Sequence, residues 1–182
     1  MHGWSPERVA QAAGGRLISG GGDEGPERVV IDSRGVGPGD LFVGLPGEHV
    51  NGGEFAAGAL EAGAWGVLVA EEHVQLGYLT PQLQIAVEDP LAALGALARE
   101  WRRELGAKVV GITGSTGKTS TKDLLAAMLR QQLRTVATHA NLNTEIGLPL
   151  TILAAPAGTE ALVLEMAMRG PGQIAELVAI AE

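Results

Sequence analysis

The sequence predicts an α/β fold in two parts, a small mixed α/β N-terminal domain over residues 1–87 and a parallel-sheet domain over residues 88–182. Three observations predict it. After Glu88, apolar runs of strand length alternate with stretches of helical periodicity, the pattern of a parallel sheet covered on both faces. Before Glu88, short β-like runs are separated by Gly- and Pro-rich turns and by brief helical stretches. At the junction, Asp89-Pro90 is a strong helix opening.

The elements follow in order. Ser5-Pro6 opens a helix, with the hydroxyl capping free amides and Pro in the first helical position. Val9, Ala10, Ala12 and Ala13 continue it, and Gly14-Gly15 stops it. Strands are expected at Arg16–Ser19, Arg28–Ile31 and Leu41–Leu45, a helix from Phe55 to Ala62 closed by Gly63, and a buried strand from Trp65 to Val69. In the second region Leu91, Leu94, Leu97, Ala98, Trp101 and Leu105 recur at helical spacing, with Arg99, Glu100, Arg102, Arg103 and Glu104 on the solvent face. Val109–Thr113 reads as a short buried strand. A helix from about Lys118 to Leu133 should turn Leu124, Leu125, Met128, Leu129 and Leu133 inward. A strand over Ala161–Leu164 leads to Glu165, and Pro171-Gly172 opens a last helix with Ile174, Leu177, Val178 and Ala181 on one face. With two strong sheet strands placed there, fewer than a doubly wound domain normally has, the second domain is expected to be incomplete in this chain. No internal repeat or low-complexity tract is present.

Composition narrows the function classes. Aromatics make up 3% of the chain, so the cores must be built from Ala, Val, Leu and Ile. A net charge of −8 argues against a general binder of nucleic acid or membrane surfaces, both of which are polyanionic. The chain has no cysteine, which rules out disulfides and thiolate metal sites. No apolar run approaches the roughly 20 residues that a membrane-spanning helix requires, and the first residues lack the features of a signal peptide. A soluble cytoplasmic protein is expected.

The most informative stretch is Val109–Ser120. A strand delivers the chain into a turn of small residues, Gly114-Ser115-Thr116-Gly117, and a helix begins at Lys118. Unpaired amides and the helix dipole converge there, which suits a phosphate group. Glycines at 114 and 117 let the backbone approach a ligand. Lys118 would bridge terminal phosphates, and the Thr119 hydroxyl would bind Mg²⁺. The residues from Gly114 to Ser120 are therefore the expected ATP-binding segment of a P-loop NTPase-like domain. The generic pattern G-x-x-x-x-G-K-[ST] is not met, since Ile112 stands at its first glycine. The context is nevertheless that of a phosphate loop. A turn that merely joins strand to helix does not need Gly-Lys-Thr at the helix start, and the chain's other lysines are only Lys108 and Lys122. Glu165, at the end of an apolar strand, is placed to put a carboxylate beside the nucleotide's Mg²⁺. From pattern alone, a solvent-exposed strand-end glutamate is an equal reading.

Val110–Thr119 resembles the ATP loop of the Mur ligases, the amino-acid-adding enzymes of peptidoglycan synthesis. Their version, T-G-[ST]-x-G-K-[ST], lacks the earlier glycine. His139–Thr151 is similar to the segment N-x-N-N-E-I-G-x-P-x-T, and Glu165–Ile174 to E-M-G-M-R-G-P-G-E-I. Both belong to the branch of the family that adds D-alanyl-D-alanine to UDP-MurNAc-tripeptide. Asp32-Ser33-Arg34 and Pro38–Val43 resemble the first-domain stretch D-S-R-x-x-x-P-G-D-x-F-x-A. The likeness runs from about residue 28 to the end of the chain. It implies a first domain that holds the uridine-diphosphate end, a central ATPase domain begun here, and a third domain that this chain lacks.

Carried over by position, the resemblance implies that Ser33, Arg34, Asn141 and Asn143 contact the UDP-sugar substrate. The other readings are a turn cap for each asparagine and a surface ion pair for Arg34. It also implies that Thr119 and Glu165 hold Mg²⁺, with Lys118 and Glu165 as the catalytic pair. Asn51-Gly52-Gly53-Glu54-Phe55 departs from the family's D-G-H-x-F, so Asn51 and Gly53 are not assigned to the site. Thr144 and Ala167 also depart, where Asn and Gly are usual. His139 reads as a loop histidine. The implied reaction is ATP-driven amide formation through an acyl phosphate, with UDP-MurNAc-tripeptide and D-alanyl-D-alanine as substrates. Family members also need a modified lysine and a histidine further downstream, so these 182 residues alone are not expected to turn over. The alternatives are the sister ligase that adds the third residue, a folylpolyglutamate synthetase-like ligase, and a non-catalytic nucleotide-binding module.

Overall fold

The computed structural model describes residues 1, 3–20, 24–75 and 83–182. The chain divides into two compact units, Met1–Ala96 and Leu97–Glu182. The division falls inside the helix α3 (Pro90–Leu105), numbered after two shorter helices upstream.

The first unit opens with α1 (Pro6–Ala12), where the Ser5 hydroxyl accepts from the Arg8 amide as a cap. Five strands follow: β1 (Arg16–Ser19), β2 (Arg28–Val30), β3 (Asp40–Val43), β4 (Gly66–Ala70) and β5 (Leu83–Val87). Their order is β1-β5-β4-β3-β2. The pairs from β2 to β5 are parallel, and β1 closes the edge antiparallel to β5. Helix α2 (Ala56–Glu61) lays Ala56, Ala59 and Leu60 against Phe42, Val67 and Val69 to form the apolar core. Burial of each large side chain there contributes about 2 kcal/mol.

The sequence reading missed β5. Gln84 interrupts its apolar run, yet all five residues are buried. The amide survives burial because its oxygen accepts from the Gln75 amide at 2.8 Å, while its nitrogen donates to Ser19 Oγ at 3.3 Å. Asp40 is buried as well. Its carboxylate takes a two-pronged contact from Arg28 at 2.8 and 2.7 Å and accepts from the Gly37 amide at 3.0 Å, tying β2 to β3 and closing the Gly37–Asp40 turn. The guanidinium holds the Asp40 carboxyl below the usual range.

The second unit takes up the C-terminal part of α3 and builds a three-stranded sheet in the order β6-β8-β7. The strands are β6 (Lys108–Ile112), β7 (Thr135–Ala137) and β8 (Ala161–Glu165), and both pairings are parallel. The central strand β8 is buried along its whole length. Helices α4 (Lys118–Leu129), α5 (Gly147–Leu153) and α6 (Gln173–Ala181) complete the unit. The Trp101 indole donates to the Ala155 carbonyl at 2.9 Å, so this large side chain is buried with its polar tip satisfied.

The sequence placed neither β7 nor α5: β7 has three residues, too few for a period to show, and α5 contains Gly147 and Pro149. Pro149 stands in the first helical turn, where an amide has no intrahelical partner to lose. Helix α4 ends at Leu129, before the expected Leu133, and presents a different face to the sheet. Leu124 and Met128 are 69% and 71% exposed, while Lys122 and Ala126 are buried. At 100° per residue, 124 and 128 lie nearly opposite 122 and 126, so both sets cannot face inward. Val178 on α6, also expected inward, is 50% exposed.

Candidate functional site

The site in the second unit is built where β6 gives way to α4. Gly117 stands before the first helical residue with φ +75°, a left-handed conformation that an L side chain would resist. Beyond it the helical ladder starts with the Thr121 amide donating to the Gly117 carbonyl at 3.0 Å. The amides of Lys118, Thr119 and Ser120 therefore precede the first ladder bond and point out of the helix N-terminus. Gly114, Ser115, Thr116 and Gly117 are all exposed. Lys118 reaches back across the turn, and its Nζ donates to the Gly114 carbonyl at 2.7 Å. Free amides, helix dipole and ammonium thus share one mouth, an arrangement that binds a phosphate group.

Sheet register supplies the carboxylate. In the parallel pairing of β6 with β8, Ile112 stands opposite Glu165, so the last residue of β8 lies beside the start of the loop. Glu165 is buried, and its two carboxylate oxygens are divided between partners. Oε2 accepts from Thr119 Oγ1 at 2.9 Å and Oε1 accepts from Asn143 Nδ2 at 2.8 Å. The Glu165 amide donates to Thr138 Oγ1 at 2.9 Å. Asn143 is tied at its other end, where its carbonyl accepts from the Ala167 amide at 2.8 Å. The turn that carries Asn143 includes Ala140 at φ +48°, a left-handed conformation costly for alanine.

Among the described residues, no cluster of three or more His, Cys, Asp or Glu side chains is arranged to hold a metal. The chemistry available at Thr119 and Glu165 is one hydroxyl and one carboxylate oxygen side by side. That set fits a hard cation that draws its other ligands from phosphate and water, as Mg²⁺ on a nucleotide does.

The sequence-predicted residues of the second unit therefore come together in part. Lys118, Thr119, Asn143 and Glu165 surround the loop. Ser120 lies on the first turn of α4. Asn141 is exposed, and its carbonyl accepts from the Asn143 amide at 2.8 Å. Sequence reasoning passed over Thr138 and Lys122. No motif marks Thr138, but the spacing of three between Thr119 and Lys122 puts both on one helix face.

In the first unit, Ser33 and Arg34 form a short 3-10 turn after β2, capped by Asp32. The Arg34 guanidinium donates to both Asp32 oxygens at 2.9 and 2.6 Å and holds that carboxyl down at about 2. The Arg34 side chain is 88% exposed, so the surface ion pair considered for it from sequence is formed. Cavities of about 580 Å³, lined by Gly14–Arg16, Ala70–Glu72 and Ala86–Glu88, and about 700 Å³, lined by Arg130–Thr135 and Glu160, include none of the predicted site residues. The second lies at the far end of α4, about 18 Å along the helix from the loop.

The chain matches known proteins over most of its length. Residues 27–102 match the Mur ligase family catalytic domain and residues 112–182 match the Mur ligase middle domain, together most of the chain. The UDP-N-acetylmuramoyl-tripeptide--D-alanyl-D-alanine ligase of Mycobacterium leprae is 41% identical over 96% of this chain and 38% of its own length. The ligase of the same name from Escherichia coli is 39% identical over 88% of this chain and 34% of its own length. Among solved structures, a crystal structure of MurF from Acinetobacter baumannii superposes with a TM-score of 0.88 at 29% identity, covering 98% of this chain and 38% of that one. MurF ligase from Thermotoga maritima, solved in complex with ADP, gives 0.74 at 40% identity, covering 85% of this chain and 35% of that one. The chain spans under two fifths of the length of these relatives. With the loop, the strand-end glutamate and both domain matches in agreement, the chain belongs to the Mur ligase family.

Proposed function

We propose that this chain supplies the uridine-diphosphate-binding and nucleotide-binding parts of an ATP-dependent ligase that joins D-alanyl-D-alanine to UDP-MurNAc-tripeptide in the cytoplasm. The observation that carries the proposal is the convergence of Lys118 and the amides of the Gly114–Ser120 turn with the Thr119–Glu165 pair, brought together by the β6–β8 register. The relatives' names supply the substrates, and the ADP in the Thermotoga maritima structure supports the nucleotide.

The chemical problem of such a ligase is charge, because a carboxylate must approach a triphosphate. Lys118 would hold the terminal phosphates, and the loop amides would fix their orientation without reorganising during reaction. Thr119 and Glu165 would hold Mg²⁺, which supplies further neutralisation of the phosphates. The tripeptide carboxylate takes the γ-phosphoryl group and releases ADP. The dipeptide amine then attacks the acyl carbon, phosphate leaves, and the amide forms. Ser33 and Arg34 would hold the uridine-diphosphate end, and Asn141 the sugar-bearing substrate. Asn143 orients Glu165 in addition to any substrate contact.

Isothermal titration of the 182-residue chain tests this reading. ADP with Mg²⁺ and UDP-MurNAc-tripeptide should each bind, and Lys118→Ala should weaken the nucleotide at least about tenfold, the loss of one charge-assisted contact. Full nucleotide affinity in Lys118→Ala would remove the loop assignment, and absence of tripeptide binding would remove the ligase reading.

A further inference from the structure

Lys122 lies one turn beyond Thr119 on the same face of α4, and its side chain is 6% exposed. Among the described residues, Lys122 and Glu165 are the buried charged side chains of the second unit. Taking an ammonium out of water is costly, and a methionine would fill the same space without that cost. The ammonium donates to the Thr138 carbonyl at 2.7 Å and lies 2.9 Å from Asp123 Oδ1 on its own helix.

Thr138 is the residue that follows β7, and each of its polar groups is engaged. Its amide donates to the Val163 carbonyl at 3.0 Å, its hydroxyl accepts from the Glu165 amide at 2.9 Å, and its carbonyl takes Lys122. The bonds close a ring that begins and ends on one helix face. Thr119 reaches the Glu165 carboxylate, the Glu165 amide reaches the Thr138 hydroxyl, and the Thr138 carbonyl returns to Lys122. The ring ties α4 to the end of β8 through Thr119 and to the residue after β7 through Lys122.

We propose that Lys122 is a positioning residue of the phosphate site. Through Thr138 it sets the backbone of Glu165, so that the carboxylate stays in line with Thr119 and can share a cation with it. The inference rests on the nucleotide reading above and adds to it a residue that touches neither phosphate nor metal.

The test is ADP binding by the 182-residue chain, measured calorimetrically in excess Mg²⁺ and again in EDTA. Lys122→Met should weaken binding about tenfold in Mg²⁺, the usual effect of removing an outer support of a metal ligand, and leave the metal-free affinity within about twofold. On a Glu165→Gln background the same substitution should have no further effect, because the ring then has no carboxylate to align. Equal loss with and without Mg²⁺, or no loss, would overturn the proposal. If melting curves show that Lys122→Met does not fold, Thr138→Val opens the same ring at the hydroxyl. It should give the same Mg²⁺-selective loss, and an equal loss in both conditions would overturn the proposal. A parent chain whose ADP affinity ignores Mg²⁺ would sink the nucleotide–metal reading and this inference with it. A Mg²⁺-dependent parent with an indistinguishable Lys122→Met sinks this inference alone.

Discussion

Replacing Glu165 by glutamine and by alanine separates the metal from the fold. The carboxylate is buried, with Asn143 Nδ2 on one oxygen and the Thr119 hydroxyl on the other. Glutamine can keep both contacts. Its oxygen still accepts from Asn143, and its amide donates to a Thr119 hydroxyl that turns to accept. The stability change in Glu165→Gln should therefore stay within about 1 kcal/mol, the value of one ordinary hydrogen bond. The negative charge is lost, and with it the carboxylate proposed to hold Mg²⁺ with Thr119. ADP affinity in Mg²⁺ should fall about 10- to 100-fold, or about 1.4 to 3 kcal/mol, with little change in EDTA. Alanine behaves differently. It leaves the half-buried Asn143 amide without its acceptor, at about 1–3 kcal/mol, and melting should drop by about 5–20 °C for a unit of this size. Differential scanning calorimetry and titration of both variants read the two effects separately. Parent-like, Mg²⁺-enhanced ADP binding by Glu165→Gln would refute the reasoning, because a ligand cannot be dispensable.

Three further outcomes follow from the packing. Asp40→Asn breaks the two-pronged Arg28 contact and should cost the first unit about 2 kcal/mol at neutral pH, seen in urea unfolding. The folded Asp40 pKa is depressed, so its contribution is full above the unfolded value near 4 and is lost as pH falls through the folded value. The acid-side decline in stability should accordingly be shallower in the variant than in the parent. Gly53→Ala should destabilise by about 1–3 kcal/mol in the same assay, because a Cβ there would lie 2.3 Å from His73 Cδ2. Ala140→Gly should raise stability by about 0.5–1 kcal/mol, a few degrees in a melting curve, by relieving the left-handed alanine.

How far the residues could be read in advance depended on the range of the signal. Ser5-Pro6 and Asp89-Pro90 opened helices where expected, because caps and fixed φ values act within one turn of the chain. β8 and its terminal glutamate were visible as an apolar run with a charge at its end. The loop at Gly114–Thr119 was legible because phosphate binding by backbone amides demands small residues between strand and helix, all adjacent in sequence. Leu83–Val87 was lost to the one glutamine in it. Thr135–Ala137 was too short to show a period, and Gly147–Leu153 was hidden by its glycine and proline.

The amino-acid order alone thus set out the α/β class and marked Gly114–Ser120 as the phosphate-loop candidate, since each is a pattern written over a few consecutive residues. It left Glu165 divided between a metal role and an exposed strand end. Pairing of β6 with β8 decided that Glu165 lies beside Thr119, across 46 positions of sequence. Packing decided which side of α4 turned inward. The helix carries apolar residues on more than one face, and the face turned inward is the one whose lysine meets the Thr138 carbonyl. Contacts of that kind depend on where distant backbone groups end up in space, and no local pattern records them.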